Sequence, residues 1–136
     1  MLNRPRRVRA CRKGATAVEF ALTAPVFFLF LLAAFEFGWL NVIRHTADNA
    51  AYEAARTAMV PGATAAEARA KADGLLNIVG ARGARVTVTP PVLKTDTDQV
   101  TVAIDIPMSR NGIIVPRFSS RTTLRSSSTL RTERAE

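Results

Sequence analysis

Side chains that could carry out catalysis are few and scattered in this chain of 136 residues. His45 is the only histidine and Cys11 the only cysteine, so the chain alone cannot build a zinc site or a disulfide. The serines at positions 119, 120, 126, 127 and 128 have no partner base, and no glycine-rich phosphate loop is present. We therefore expect no enzymatic activity, no metal ion and no cofactor.

The residue types do point to chemistry at one junction, where the chain would be the substrate of an enzyme. Gly14 lies before the long apolar segment, whereas a secretory signal peptide has its small-residue cleavage site after such a segment. A cut after Gly14 would remove a basic leader and leave Ala15 as the first residue. The fifth residue after that cut is Glu19, followed by Phe20. A carboxylate at the edge of a lipid-facing segment is costly enough to require a reason.

This arrangement resembles the processing site of type IV prepilins and pseudopilins. A closer similarity, to the TadE-like family, is carried by the segments GATAVEFALTAPVFFLFLLAAFEFGWL and NAAYEAARTAMVPG. Members of that family are minor pseudopilins or membrane-anchored components of tight-adherence (Flp-type) pilus assembly. The resemblance is specific over residues 14–62 and loose beyond them.

The resemblance implies particular partners and roles. A prepilin peptidase would cut after Gly14, and other pilus-assembly or pseudopilin subunits would contact the amino-terminal helix. Glu19 would help to define the cleavage register and would then pair with the new amine of Ala15, or with that of a neighbouring subunit. Such pairing is physically reasonable, because a buried ammonium and a buried carboxylate are each costly alone and tolerable together.

The net charge of +8 is concentrated before the apolar segment. Six of the 19 basic residues precede Gly14, and no acidic residue does. A basic cluster beside an apolar span holds that side in the cytoplasm. We expect a single-pass membrane protein with its amino terminus in the cytoplasm and its carboxyl-terminal part outside, and the resemblance implies that the membrane is the bacterial inner membrane. Nucleic-acid binding is the weaker interpretation of the leader.

The apolar segment is long enough to cross a lipid bilayer once. Residues 20–40 would form about 30 Å of helix, which matches the hydrocarbon thickness of a membrane. Pro25 should kink or loosen this helix. This change in the helix either has no functional consequence or makes the helix flexible enough for a subunit to leave the bilayer or to bend in an assembly.

The outer end of the span carries a second carboxylate. Glu36 either extends to water or contacts a partner subunit, and Glu36, Phe37 and Gly38 match a recurrent feature of the TadE-like family. Trp39 is typical of an aromatic anchor at the membrane interface.

Alanines recur at three- and four-residue spacing beyond the span and form one small-residue stripe along the helix. The stripe consists of Ala47, Ala50, Ala51, Ala54, Ala55 and Ala58. It should pack either on the protein's own sheet or in a bundle of neighbouring subunits. The sequence leaves both open.

Turn and alternation signals predict a small α+β part after this helix. Pro61 and Gly62 end the helix, and Thr64 can cap a second helix over residues 65–79. Alternating apolar residues then predict antiparallel strands at residues 85–89, 100–106 and 118–131. Between the last two strands lies an apolar island formed by Ile113, Ile114, Val115 and Phe118.

Arginines line one face of the last predicted strand, at Arg121, Arg125 and Arg131. They form either a solvated face that discourages edge pairing or a contact for acidic lipids, an acidic partner or a polyanion.

The predicted fold class is therefore a membrane-anchored α+β protein, with a long amino-terminal transmembrane helix, a short second helix and a small antiparallel sheet. Its pilin-like topology is implied by the resemblance. The predicted divisions are a leader (1–14), the transmembrane helix with its extracytoplasmic extension (15–60) and an extracytoplasmic domain (61–136). Two functions follow: a processed minor pseudopilin of Flp-type pilus assembly, or an uncleaved membrane scaffold of a pilus or secretion platform.

Overall fold

The computed structural model describes residues 12–94, 96–112 and 121–132, with side chains from residue 14 onward. Two helices, α1 (Arg12–Met59) and α2 (Ala65–Ile78), are followed by three strands, β1 (Arg85–Thr89), β2 (Gln99–Pro107) and β3 (Thr123–Arg131). A short 3-10 helix, Met108–Arg110, follows β2. The predicted α+β fold class is confirmed.

The chain divides into two compact units, Met1–Phe35 and Glu36–Glu136. All described residues of the first unit belong to α1, which includes Pro25 without a break in the helix. Most of its large apolar side chains are exposed, Phe20 and Phe30 among them. A helix that is apolar on all sides needs lipid or other helices around it.

The second unit contains a three-stranded antiparallel sheet in the order β1-β2-β3. The central strand β2 alternates as its sequence predicts and buries four residues on one face: Val100, Val102, Ile104 and Ile106. In the register of the sheet, Ile104 lies opposite Val86 of β1 and Ser126 of β3. The sheet therefore has one apolar face and one polar face.

The third strand is shorter than its sequence pattern predicts. It begins at Thr123 opposite Pro107, where β2 ends and the chain turns into the 3-10 helix. Just before the strand begins, the carbonyl oxygen of Thr122 accepts a hydrogen bond from the Met108 N–H at 3.0 Å. Beyond Pro107, β2 has no further residue with which β3 could pair. Arg121 therefore lies in a turn outside the strand.

Helix α2 begins as predicted at Thr64, whose hydroxyl accepts a hydrogen bond from the Glu67 N–H at 3.3 Å. The Glu67 carboxylate in turn accepts a hydrogen bond from the Thr64 N–H at 3.0 Å, which completes a capping box. The buried face of α2 is formed by Ala65, Ala68, Ala72 and Leu76.

The alanine stripe of α1 is buried within the second unit itself. All six alanines have no exposed surface in the single chain, and they share one apolar cluster with α2 and the inner face of the sheet. Of the two partners that the sequence allows, the structure selects the protein's own core. The stripe is therefore not available as a packing surface for neighbouring subunits.

Replacing Ala54 by leucine should lower the free energy of unfolding of this unit by about 1–3 kcal/mol, because the added methylene groups must enter a core with no room for them. Chemical unfolding of the full chain in detergent micelles, followed by the emission of its only tryptophan, Trp39, measures this change. The matched control is Ala70→Leu on the exposed side of α2, where we expect a change within about 0.5 kcal/mol. Equal effects at the two positions would contradict the burial of the stripe.

Candidate functional site

The predicted processing residues Gly14, Ala15, Glu19 and Phe20 all lie in the first turns of α1 with exposed side chains. The carbonyl oxygen of Glu19 accepts a hydrogen bond from the Thr23 hydroxyl one turn later. Because Ala15 and Glu19 are four residues apart in a helix, they lie on the same face. The Glu19 side chain therefore starts about one helical turn after the backbone nitrogen that a cut before Ala15 would expose.

Gly14 has no structural reason to be glycine. A Cβ atom added at this position would have no heavy atom within 4 Å, and the backbone there is ordinary helix. Glycine costs about 1 kcal/mol relative to alanine in a helix, so the choice is unfavourable for α1 alone. Packing among the described residues therefore does not require a glycine at this position.

The residues at the end of the apolar stretch differ in their surroundings: Glu36, Phe37, Gly38 and Trp39. Glu36 is half-buried, and its Oε1 atom is shielded from solvent. Phe37 is 74% exposed, and a Cβ atom added at Gly38 would have no heavy atom within 4 Å. Phe37 and Gly38 thus form an exposed surface, whose glycine would allow close approach of another helix.

Trp39 is held by an internal hydrogen bond that its sequence does not reveal. Its indole N–H donates to the carbonyl oxygen of Asn111 at 2.9 Å, and the ring is half-buried. This bond joins α1 to the segment that follows the 3-10 helix, 72 residues later. The role of Trp39 as a membrane-interface anchor stays a prediction, since the indole ring is only partly covered.

Asn111 connects three segments of the second unit and is only 6% exposed. Its Oδ1 atom accepts a hydrogen bond from the Arg82 N–H at 2.7 Å. Its Nδ2 group donates to the carbonyl oxygens of Arg82, at 2.9 Å, and Pro107, at 2.8 Å. With the Trp39 bond, this residue ties α1, the α2–β1 connection and the end of β2 together.

Gly83 follows Arg82 and lies close to the segment around Asn111, where a glycine is favoured. Its φ of +71° lies in the left-handed region, and an added Cβ atom would come within 3.2 Å of Arg110 Cδ and of Pro107 Cγ. Both the backbone conformation and the space around it therefore disfavour a side chain.

Alanine at position 83 should lower the free energy of unfolding by about 2–3 kcal/mol, because it adds a steric contact to the cost of a left-handed backbone. Gly62 provides the matched control: its φ is +84°, but no heavy atom lies within 4 Å of an added Cβ atom. Gly62→Ala should therefore cost only about 1 kcal/mol. Denaturant unfolding of the two variants measures the difference, and equal midpoints would contradict the contact with Arg110.

The predicted arginine face is divided by the structure. Arg125 and Arg131 are exposed on β3, whereas Arg121 precedes the strand. Arg125 Nε lies 3.1 Å from Asp105 Oδ1 on the neighbouring strand. Since both side chains are largely exposed, this pair contributes at most about 1 kcal/mol.

Some residues considered above lie outside the described part of the chain: Cys11, Ile113, Ile114, Val115, Phe118, Ser119 and Ser120. Within the described part, His45 is exposed on α1, and no three His, Cys, Asp or Glu side chains come together in a way that could hold a metal ion.

The fold and these surroundings define an α+β protein that is a candidate for membrane anchoring. Among the described residues, one helix is long and apolar enough to cross a membrane, and no residue of its most apolar 18-residue stretch is buried. Residues 14–56 match the family model of TadE-like proteins, which confirms the resemblance seen in the sequence and identifies this segment as TadE-like. The family suggests a role in Tad/Flp pilus assembly together with other pilus-assembly components. No curated protein and no solved structure matches the chain.

Proposed function

We propose that this protein is a minor pseudopilin of Flp-type (tight-adherence) pilus assembly, processed after Gly14 by a prepilin peptidase. In this proposal the mature chain crosses the bacterial inner membrane once and carries its α+β unit on the periplasmic side. The observation that carries the proposal is the TadE-like match over residues 14–56, which starts at the glycine before the proposed cut. Processing would separate the leader (1–14) from a mature chain made of the helix (15–60) and the domain (61–136).

The surroundings of the junction support cleavage there. Gly14 contacts nothing that would require a glycine, so recognition by a small-residue pocket of a peptidase accounts for it. Cleavage would give Ala15 a free amine four residues before Glu19, on the same helical face. In a low-dielectric surrounding, this ammonium and carboxylate would stabilise each other within one chain or between neighbouring chains.

The exposed surface of α1 supports assembly through the first part of the helix. Because the alanine stripe is used by the protein's own core, neighbouring subunits would have to pack on the exposed apolar residues that precede Trp39. Phe37 and Gly38 would lie at the outer end of this contact, and Pro25 would lie inside it.

The alternative is an uncleaved single-pass scaffold of a pilus or secretion platform. One observation favours it: α1 begins at Arg12, so the bond between Gly14 and Ala15 lies inside a helix that a peptidase would have to open. That opening is inexpensive, because the first turn of a helix lacks several of its backbone hydrogen bonds and glycine weakens it further.

The experiment that separates the two functions is the identification of the first residue of the protein recovered from membranes of its native host. Intact mass or terminal sequencing should give Ala15 for a processed pseudopilin. A start at Met1 would exclude processing and leave the fixed scaffold as the function.

A further inference from the structure

A shallow cleft of about 290 Å³ lies beside Trp39 in the second unit. Its described lining consists of Trp39, Gly80, Arg82, Arg110, Asn111 and Gly112. Two of these side chains are arginines, both exposed, and none of the described lining residues is acidic. Arg125 differs from this pair, because the carboxylate of Asp105 lies 3.1 Å from it.

The two arginines are attached to a rigid part of the unit. Arg82 is fixed through its backbone, whose N–H and carbonyl oxygen both bond to the Asn111 amide. Arg110 packs over Gly83, where Arg110 Nη1 would lie 3.3 Å from an added Cβ atom. Guanidinium groups bind phosphate through charge-assisted hydrogen bonds that can be bidentate.

The position of the cleft along the chain selects the source of such a phosphate. Trp39 immediately follows the exposed Phe37 and Gly38 at the end of the apolar stretch, which is where the headgroups of a bilayer begin. A lipid whose phosphate enters the cleft could lay its acyl chains along exposed apolar residues such as Phe37. A soluble phosphate would gain no such contact.

We propose that this cleft binds the phosphate headgroup of an anionic membrane phospholipid, with Arg82 and Arg110 as its charged ligands and Trp39 as its aromatic wall. The bound lipid would fix the height and orientation of the α+β unit at the membrane surface. The proposal depends on the membrane anchor but not on cleavage after Gly14, so the two can fail independently.

Quenching of Trp39, the only tryptophan, tests the proposal in the full chain. The protein is reconstituted in phosphatidylcholine vesicles that contain a small fraction of lipid brominated on its acyl chains, either phosphatidylglycerol or phosphatidylcholine. Brominated phosphatidylglycerol should quench more strongly at equal fraction, and the ratio of the two gives the preference for the anionic lipid. Each arginine near a membrane surface contributes about a fivefold preference, so Arg82→Gln and Arg110→Gln should each lower the ratio by about that factor. The double variant should bring the ratio close to one.

The control variant is Arg131→Gln, an exposed arginine of β3 that does not line the cleft, for which we expect the parental ratio. Unfolding midpoints of the glutamine variants should also equal that of the parent, since the bonds to Asn111 involve only the backbone of Arg82. Adding inorganic phosphate at constant ionic strength should leave the ratio unchanged.

Three results would overturn the proposal. Equal loss of preference in Arg131→Gln would mean that net charge, rather than the cleft, selects the lipid. Abolition of the preference by inorganic phosphate would identify a free phosphate as the ligand. Absence of quenching by either lipid would show that Trp39 is not at a bilayer, which contradicts the membrane anchor itself.

Discussion

Replacing Asn111 by alanine should lower the free energy of unfolding of the carboxyl-terminal unit by about 2–4 kcal/mol. The amide makes three hydrogen bonds, of 2.7, 2.8 and 2.9 Å, in a site that is only 6% exposed. Its loss leaves one N–H and two carbonyl oxygens without these partners, and a partly buried group that loses its hydrogen bond costs more than the bond contributes. Few other single changes in the described residues remove three polar contacts at once.

The emission of Trp39 provides the measurement, because its indole N–H is bonded to the Asn111 carbonyl oxygen. Denaturant unfolding should show a lower midpoint, and the native emission should shift to longer wavelength if the loop moves away from the ring. Asn49→Ala, on an exposed position of α1, is the matched substitution and should change the free energy of unfolding by less than about 0.5 kcal/mol. Similar midpoints for the two alanine variants would contradict the role assigned to Asn111.

Asn111→Asp separates the contribution of the donated hydrogen bonds to stability from the contribution of side-chain shape. Aspartate has nearly the same shape and can still accept the bond from the Arg82 N–H, but its second oxygen would face the carbonyl oxygens of Arg82 and Pro107. We expect this variant to be at least as unstable as Asn111→Ala at neutral pH. A parental midpoint would mean that shape, not donation, is what the site requires.

Local patterns in the sequence were sufficient to predict helix α2 and strand β2. Thr64 and Glu67 stand three apart before an apolar periodicity, and this predicts the start of α2 because both partners of the capping box are local. The alternation from Val100 to Ile106 predicts β2 for the same reason: each residue's face follows from its neighbours in the chain.

Contacts between distant segments could not be predicted in this way. Asn111 bonds to backbone atoms of residues 29 and 4 positions earlier, and backbone atoms carry no sequence signal. The pairing of Arg125 with Asp105 depends on the register of β2 and β3, which the arginine pattern alone does not contain. The sequence predicted the alanine stripe but not the surface on which it packs. The structure shows that this surface is formed by the sheet and α2.

The proposed processing junction is a prediction from the sequence, whose signal is an order of segments: basic residues, a glycine and then the apolar run. The structure adds that neither Gly14 nor Gly38 contacts anything that requires a glycine. This makes the two glycines a matched pair for a test of cleavage, since an added Cβ atom has no described heavy atom within 4 Å at either position.

Gly14→Leu should almost completely prevent removal of the leader, whereas Gly38→Leu should be processed like the parent. An added Cβ atom at position 14 has no described heavy atom within 4 Å, and leucine is a better helix former than glycine, so we expect α1 to be preserved. Any loss of cleavage would therefore reflect recognition by the peptidase. The intact mass of each variant from membranes of the native host measures the fraction that still begins at Met1.

Glu19→Ala separates assembly from cleavage. If Glu19 pairs with the amine of Ala15 or of a neighbouring chain, its loss should deplete the processed protein from its complexes with other pilus-assembly subunits, whatever part Glu19 also has in the cleavage register. The exposed position of Glu19 means that alanine there should not disturb the fold, so depletion would report the missing charge. If Gly14→Leu and Glu19→Ala both behave like the parent in leader removal and in assembly, the pseudopilin function fails. The chain would then act as a fixed membrane protein whose exposed apolar helix serves only as an anchor.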